Sequence, residues 1–179
     1  TRTGSAAPLT AAVAEAKEDG DLTLTWPVTG LLPGTRYLLT AAMVHDPADD
    51  PAAVPLHVTF EFRTPPDPAS PSRMTLGLGS CDNDMNEPDN PVWSGVLADR
   101  PDAFALIGDT PYIDATDLST QRRRYREFFS HGSLRWAMSA MPFYAVWDDH
   151  DFGADDADGR LSGKENARRA FIENNPQWS

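Results

Sequence analysis

The pattern of the chain predicts an α/β fold with a mainly parallel sheet, preceded by a partial antiparallel β-sandwich segment. Three observations carry this. After residue 72, short apolar runs alternate with helical patterns in the order strand, helix, strand, helix, strand, helix, the signature of parallel βα units. Before residue 65, single apolar residues alternate with polar ones, which suits half-buried strands. Between the two lies a stretch rich in proline (Pro65, Pro66, Pro68, Pro71), a stiff connection. The expected organisation is a β segment over 1–64, a linker over 65–72 and an α/β domain over 73–179.

The first eighteen residues are rich in alanine and poor in aromatics, compatible with a short helix or a lead-in. Leu22, Leu24 and Trp26 alternate with Thr23 and Thr25 and predict a first strand. Pro33 and Gly34 punctuate a turn, and residues 36–44 predict a second strand. The loop that follows is acidic, with a cluster at 46–50. Leu56, Val58, Phe60 and Phe62 then alternate as a third strand. A full sandwich needs about seven strands, so this segment is expected to be partial and supporting, without catalytic groups of its own.

Beyond the linker, residues 73–78 predict a strand that runs into Gly79-Ser80-Cys81-Asp82. Residues 91–99 predict a helix with Pro91 in its first turn. The apolar run 103–107 predicts a central strand buried on both faces, ending in Gly108-Asp109-Thr110-Pro111-Tyr112. Residues 117–130 predict a helix capped by Asp117, with Tyr125, Phe128 and Phe129 inward and a solvated arginine face at 122–124. Helical pattern continues over 134–140. The run 143–147 predicts a third, buried strand, ending in Asp148-Asp149-His150-Asp151. A last helix is expected over 162–174, where Ser162 and Glu165 have capping-box spacing and Pro176 follows.

Parallel strands bring their carboxyl ends to one side of a sheet, and ligands bind there in open α/β folds. The three strand ends carry Cys81 and Asp82, Asp109 and Tyr112, and Asp149 and His150. So many acids around one imidazole repel one another unless a cation or proton holds them. Carboxylate, imidazole, thiolate and phenolate oxygen are all metal donors. A phenol is a ligand only to a strongly Lewis-acidic ion such as ferric iron, because its ordinary pKa is high. Two adjacent ions suit phosphoryl transfer, and His150 is then placed to protonate a leaving oxygen.

Composition narrows the partners. The chain has 179 residues and a formal net charge of −12, which argues against nucleic acid as a stable partner. It leaves room for a phosphate ester, since a metal site carries positive charge of its own. With Cys81 the single cysteine, no intrachain disulfide forms. No apolar run is long enough to cross a membrane, and no signal peptide is evident in this chain. His45, His57 and His131 are expected to be surface or strand residues. The run from Asp82 begins like a calcium loop, but Glu87 and Trp93 stand where Gly and Glu are required, which excludes an EF-hand. Asp151-Phe152-Gly153 lacks every other kinase motif.

Gly79-Ser80-Cys81, Gly108-Asp109-x-x-Tyr112 and Trp147-Asp148-Asp149-His150-Asp151, in this order and each at a strand end, resemble the alkaline phosphatase D-like (PhoD-like) branch of the calcineurin-like metallophosphoesterases. The Gly-Asp-x-x-Tyr motif also resembles purple acid phosphatases. The segments Leu-x-Pro-Gly-Thr-x-Tyr and Phe-x-Phe-Arg-Thr-Pro-Pro resemble the later strands of the fibronectin III/Ig-like domain that precedes the catalytic domain in this family. The resemblance implies a partial metallophosphoesterase-type sheet and hydrolysis of phosphate monoesters or diesters by a metal-activated water. It implies a dinuclear site of Fe3+ and Ca2+, with Zn2+ or Mn2+ as alternatives. Cys81 and Tyr112 would ligate iron, Asp109 would bridge, Asp149 would hold the second ion, and His150 would be catalytic. Asp148 and Asp151 would support these ligands by hydrogen bonds. It also implies an extracytoplasmic location, and further His or Asp ligands from later blocks. No histidine follows His150, so the chain is expected to be a fragment with weak metal binding. The alternative expectation is a non-catalytic surface interaction module with a vestigial or calcium-only site.

Overall fold

The computed structural model describes residues 14–43, 56–88 and 90–176. Residues 1–13, His45, the acidic cluster at 46–50 and Asp89 lie outside the described residues. The described chain is a mixed α/β fold with two small sheets.

The first sheet is an antiparallel hairpin of β1 (Arg36–Met43) and β2 (Leu56–Arg63), in register from Arg36 opposite Arg63 to Met43 opposite Leu56. Tyr37 and Phe62 stack across it at 5.7 Å between ring centroids, a cross-strand pair of the kind that stabilises such ribbons. Thr64 closes the base. Its hydroxyl donates to the carbonyl of Leu32 at 2.6 Å and accepts from the N–H of Thr35 at 2.8 Å. The strand expected around Leu22, Leu24 and Trp26 is absent. A 3-10 turn at Glu18–Gly20 precedes it, and Asp21 and Leu22 both have φ in the left-handed region, at 55° and 58°. Side-chain alternation predicts a strand only where the backbone can extend. Here the turn is held from outside: Arg122 and Arg169 donate to the carbonyl of Asp19, and Arg126 pairs with Asp21.

The second sheet is parallel and ordered β3 (Leu76–Gly79), β4 (Ala103–Ile107), β5 (Phe143–Val146). The connections are α1 (Val92–Asp99), then α2 (Leu118–Ser130) with α3 (Gly132–Ala140). A one-turn α4 (Asp149–Phe152) and a final α5 (Lys164–Asn174) follow β5. Helices cover one face. Trp93 of α1, Phe128 of α2 and Leu134 and Ala137 of α3 bury Phe104 and Leu106, with Phe143 and Ala145 beside them. Phe104 stacks on Phe143 at 5.3 Å and meets Trp93 edge-on at 5.4 Å. A second cluster joins Tyr125 of α2 to Ala170 and Phe171 of α5.

Three expectations change. β4 is central, but its second face is covered only in part: Ala103 is buried there, whereas Ile107 is exposed, as are Leu76, Leu78, Tyr144 and Val146 on the same side. The run 143–147 is half-buried on one face, at Phe143 and Ala145, and exposed on the other. Its apolar character reports that both faces of a parallel sheet suit burial, not that both are covered here. The capping box at Ser162 does not form, since α5 starts later with Gly163 at its N-cap. Asp117 caps α2 as expected, its carboxylate accepting from the Thr120 N–H at 2.8 Å.

Candidate metal centre

The three strand ends meet. The N–H of Cys81 donates to the carbonyl of Gly108 at 3.3 Å, joining β3 to β4. Gly108 has φ +100°, and a Cβ there would lie 2.5 Å from Asp148 Cβ and 3.0 Å from its backbone nitrogen. Only glycine lets the end of β4 approach the end of β5 this closely. Cys81 and Asp109 themselves have φ of 59° and 53°. Non-glycine residues held there are uncommon and cluster at functional sites.

Asp109 is the hub. Its Oδ2 accepts from Cys81 Sγ and from the Tyr112 hydroxyl, each at 3.4 Å. Its Oδ1 is buried and has no hydrogen-bond partner. A buried carboxylate oxygen left unpaired costs free energy, and a cation removes that cost. Asp109, Asp149 and His150 each offer one ligand atom, all within 4.8 Å of one another. Asp109, Asp149 and His150 therefore have the chemistry and spacing to hold a metal ion, and the Cys81 thiol and Tyr112 phenol lie beside them on the other oxygen of Asp109.

α4 positions the second half of the site. Asp148 and Asp151 form a reciprocal capping box at its start. The Asp148 N–H donates to Asp151 Oδ1 at 2.6 Å, and the Asp149 N–H to Asp148 Oδ1 at 2.9 Å. Two of the four polar residues at 148–151 thus build the turn that aims the other two. Asp151 is buried, and burial pushes its carboxyl up to about 7 against the pull of the Asp148 and Thr110 N–H groups. The N–H of Asp156 donates to Asp149 Oδ2 at 2.5 Å and holds Asp149 below the usual aspartate range.

His150 sits over the Tyr112 ring, with centroids 4.3 Å apart. Its Nδ1 is 2.7 Å from Asp114 Oδ1, and its Nε2 is 3.4 Å from Asp155 Oδ1. The bond to Asp114 raises its pKa, and the charges of Asp114, Asp109 and Asp149 add to this. Tyr112 is pushed up to about 12 by burial, by its hydrogen bond with Cys81 and by the charge of Asp109. A neutral phenol is thus the resting form unless a cation offsets these effects.

The structure therefore brings Cys81, Asp109, Tyr112, Asp149 and His150 to one place. Sequence reasoning missed Asp114, which no motif marks. It also missed Asp155 and Asp156 as individuals. Together with Asp149 they form a second group of acidic donors within 4.8 Å. The arginine run was misread as well. Arg123 is exposed, but Arg124 is buried, and Arg122 pairs with Glu173 at 2.6 Å. A signal was available: Arg124 lies four residues before the buried Phe128, on the same helix face.

No protein-family model matches the chain, and no curated protein matches it. A solved structure of PhoD superimposes on 91% of this chain with a TM-score of 0.73, at 19% sequence identity. The chain has a PhoD-like fold. It spans 35% of the length of that structure. At this identity the likeness is one of fold, and the chemistry rests on the residues described above.

Proposed function

We propose that the chain carries part of the metal centre of a phosphoester hydrolase. The observation that carries this is the partnerless buried oxygen of Asp109, set among the donors Cys81, Tyr112, Asp149 and His150 at the ends of three parallel strands. The resemblance of the motifs and the PhoD-like fold support it. Cys81 and Tyr112 would hold ferric iron, Asp109 would serve both ions, and Asp149 would hold the second, for which calcium suits the oxygen-rich surroundings. When bound, such a pair supplies Lewis acidity to a phosphoryl oxygen and acidifies water for in-line attack.

The chain's own residues do the rest. The hydrogen bond to Asp114 raises the pKa of His150 and so favours the protonated imidazole, the form that would give a proton to a departing alkoxide. Asp148 and Asp151 fix the turn that aims Asp149 and His150. The substrate is proposed to be a phosphate ester, and the location extracytoplasmic. Among the described residues no helix is long and apolar enough to cross a membrane.

Metal analysis by emission spectrometry with a visible spectrum, on a chain extended past Ser179 to include the later ligand blocks, tests the assignment, together with release of nitrophenol from nitrophenyl phosphate and its bis-ester. Iron and calcium with a tyrosinate-to-iron band and nitrophenol release are the expected result. A colourless, metal-free and inert protein after refolding with both ions would overturn it. The all-carboxylate group Asp149, Asp155 and Asp156 favours one other reading, a calcium-stabilised interaction module. In that case Cys81→Ala and Tyr112→Phe leave metal binding untouched.

A further inference from the structure

Arg124 joins the two loops that carry the iron-side donors. It projects from the middle of α2, and both it and its partner Asp84 are buried, with side-chain exposures of 8% and 3%. Its Nη2 donates to Asp84 Oδ1 at 2.6 Å, in the loop that begins at Cys81. Its Nε donates to the carbonyl of Tyr112 at 3.2 Å, in the loop that begins at Asp109. Its Nη1 donates to Glu127 Oε2 at 2.7 Å, on its own helix. The second oxygen of Asp84 is 3.0 Å from Nε2 of His131, at the junction of α2 and α3. A planar guanidinium presents its N–H groups in a fixed fork, so one side chain sets the relative positions of three acceptors. An ammonium on a flexible stem has no such fork.

We propose that Arg124 is a positioning residue for the metal centre, setting the separation of Cys81 and Tyr112 by clasping the loop after β3 to the loop after β4. This rests on the proposed metal reading. Asp84 and His131 belong to the same device, with Asp84 as the far anchor. The arrangement gives the site a back wall built from α2, while Asp149 and His150 are carried by the capped turn after β5. Outer partners that orient ligands typically change metal affinity by about 10- to 100-fold when removed.

The test is iron titration of the full chain and of Arg124→Lys, followed by the visible absorption band, with thermal unfolding of the metal-free proteins alongside. Arg123→Met serves as control, since Arg123 is exposed and its ion pair among the described residues is with Glu127. Arg124→Lys is expected to unfold cooperatively yet to bind iron about 10- to 100-fold more weakly, with a displaced and weaker band, while Arg123→Met matches the parent. Parental affinity and band in Arg124→Lys overturn the positioning role and leave the metal reading intact. A parent that takes up no iron overturns both. Should Arg124→Lys fail to fold, Asp84→Asn decides in the same assay: weakened binding supports the role, and parental binding overturns it.

Discussion

Nδ1 of His150 lies 2.7 Å from Oδ1 of Asp114, a residue that has φ +51° and sits two positions beyond Tyr112. The imidazole is thereby fixed by one loop while it rests on the aromatic ring of the same loop. The carbonyl of His150 returns the contact, accepting from the N–H groups of Ile113 and Asp114 at 3.0 Å each. Asp114→Asn is expected to lower phosphate-ester turnover by about 10- to 100-fold with metal content unchanged. Steady-state kinetics alongside metal analysis would check this. Loss of metal in the same proportion as activity would refute a role specific to His150.

The closeness of β4 and β5 at Gly108 makes that position intolerant. Gly108→Ala combines a positive φ with contact against the backbone of Asp148, and the expected cost is about 2–3 kcal/mol. Gly159→Ala meets nothing within 4 Å and should fall within about 0.5 kcal/mol of the parent. Urea denaturation of the two variants separates these outcomes.

Phe128 is fully buried between the sheet and α3. Phe128→Ala is expected to cost about 3–5 kcal/mol, through lost transfer free energy and the cavity left behind. An equal loss for Trp136→Ala would contradict the assignment of the core, because Trp136 is 71% exposed.

Glu173 sets an acid limb of stability. Burial pushes its pKa up, but hydrogen bonds from Arg122 and Arg169 more than offset this and hold it below the usual glutamate range. A carboxylate depressed on folding contributes stability at pH above its unfolded value, and that contribution is lost as pH falls through the folded value. The melting temperature of the parent should therefore decline below about pH 4.5 more steeply than that of Glu173→Gln. Parallel curves from pH 6 to 3 would exclude the pairing as a source of acid sensitivity.

Cys81 is exposed and should react with iodoacetamide. Bound iron is expected to slow that alkylation sharply, since a coordinated thiolate is no longer free to attack. Mass spectrometry of protein treated with and without iron reads the difference. Equal rates would remove Cys81 from the ligand set.

The α/β alternation, the strands β3, β4 and β5 and the cap at Asp117 were legible in the sequence. They depend on local periodicity, on turn residues and on one short side chain next to a helix start. The convergence of Cys81, Asp109 and His150 was legible for a related reason, because parallel strands must end on one side. What only the tertiary structure decided depends on partners distant in sequence. The turn leading into Leu22 is held at the Asp19 carbonyl by Arg122 and Arg169, 103 and 150 residues away. Arg124 left the solvated face expected of it because Asp84 and the Tyr112 carbonyl supply its fork with acceptors. Asp114 joined His150 through a left-handed turn that no residue pattern announces. Short-range geometry is written in the order of side chains, whereas the pairing of buried charges is settled only when the chain has closed upon itself.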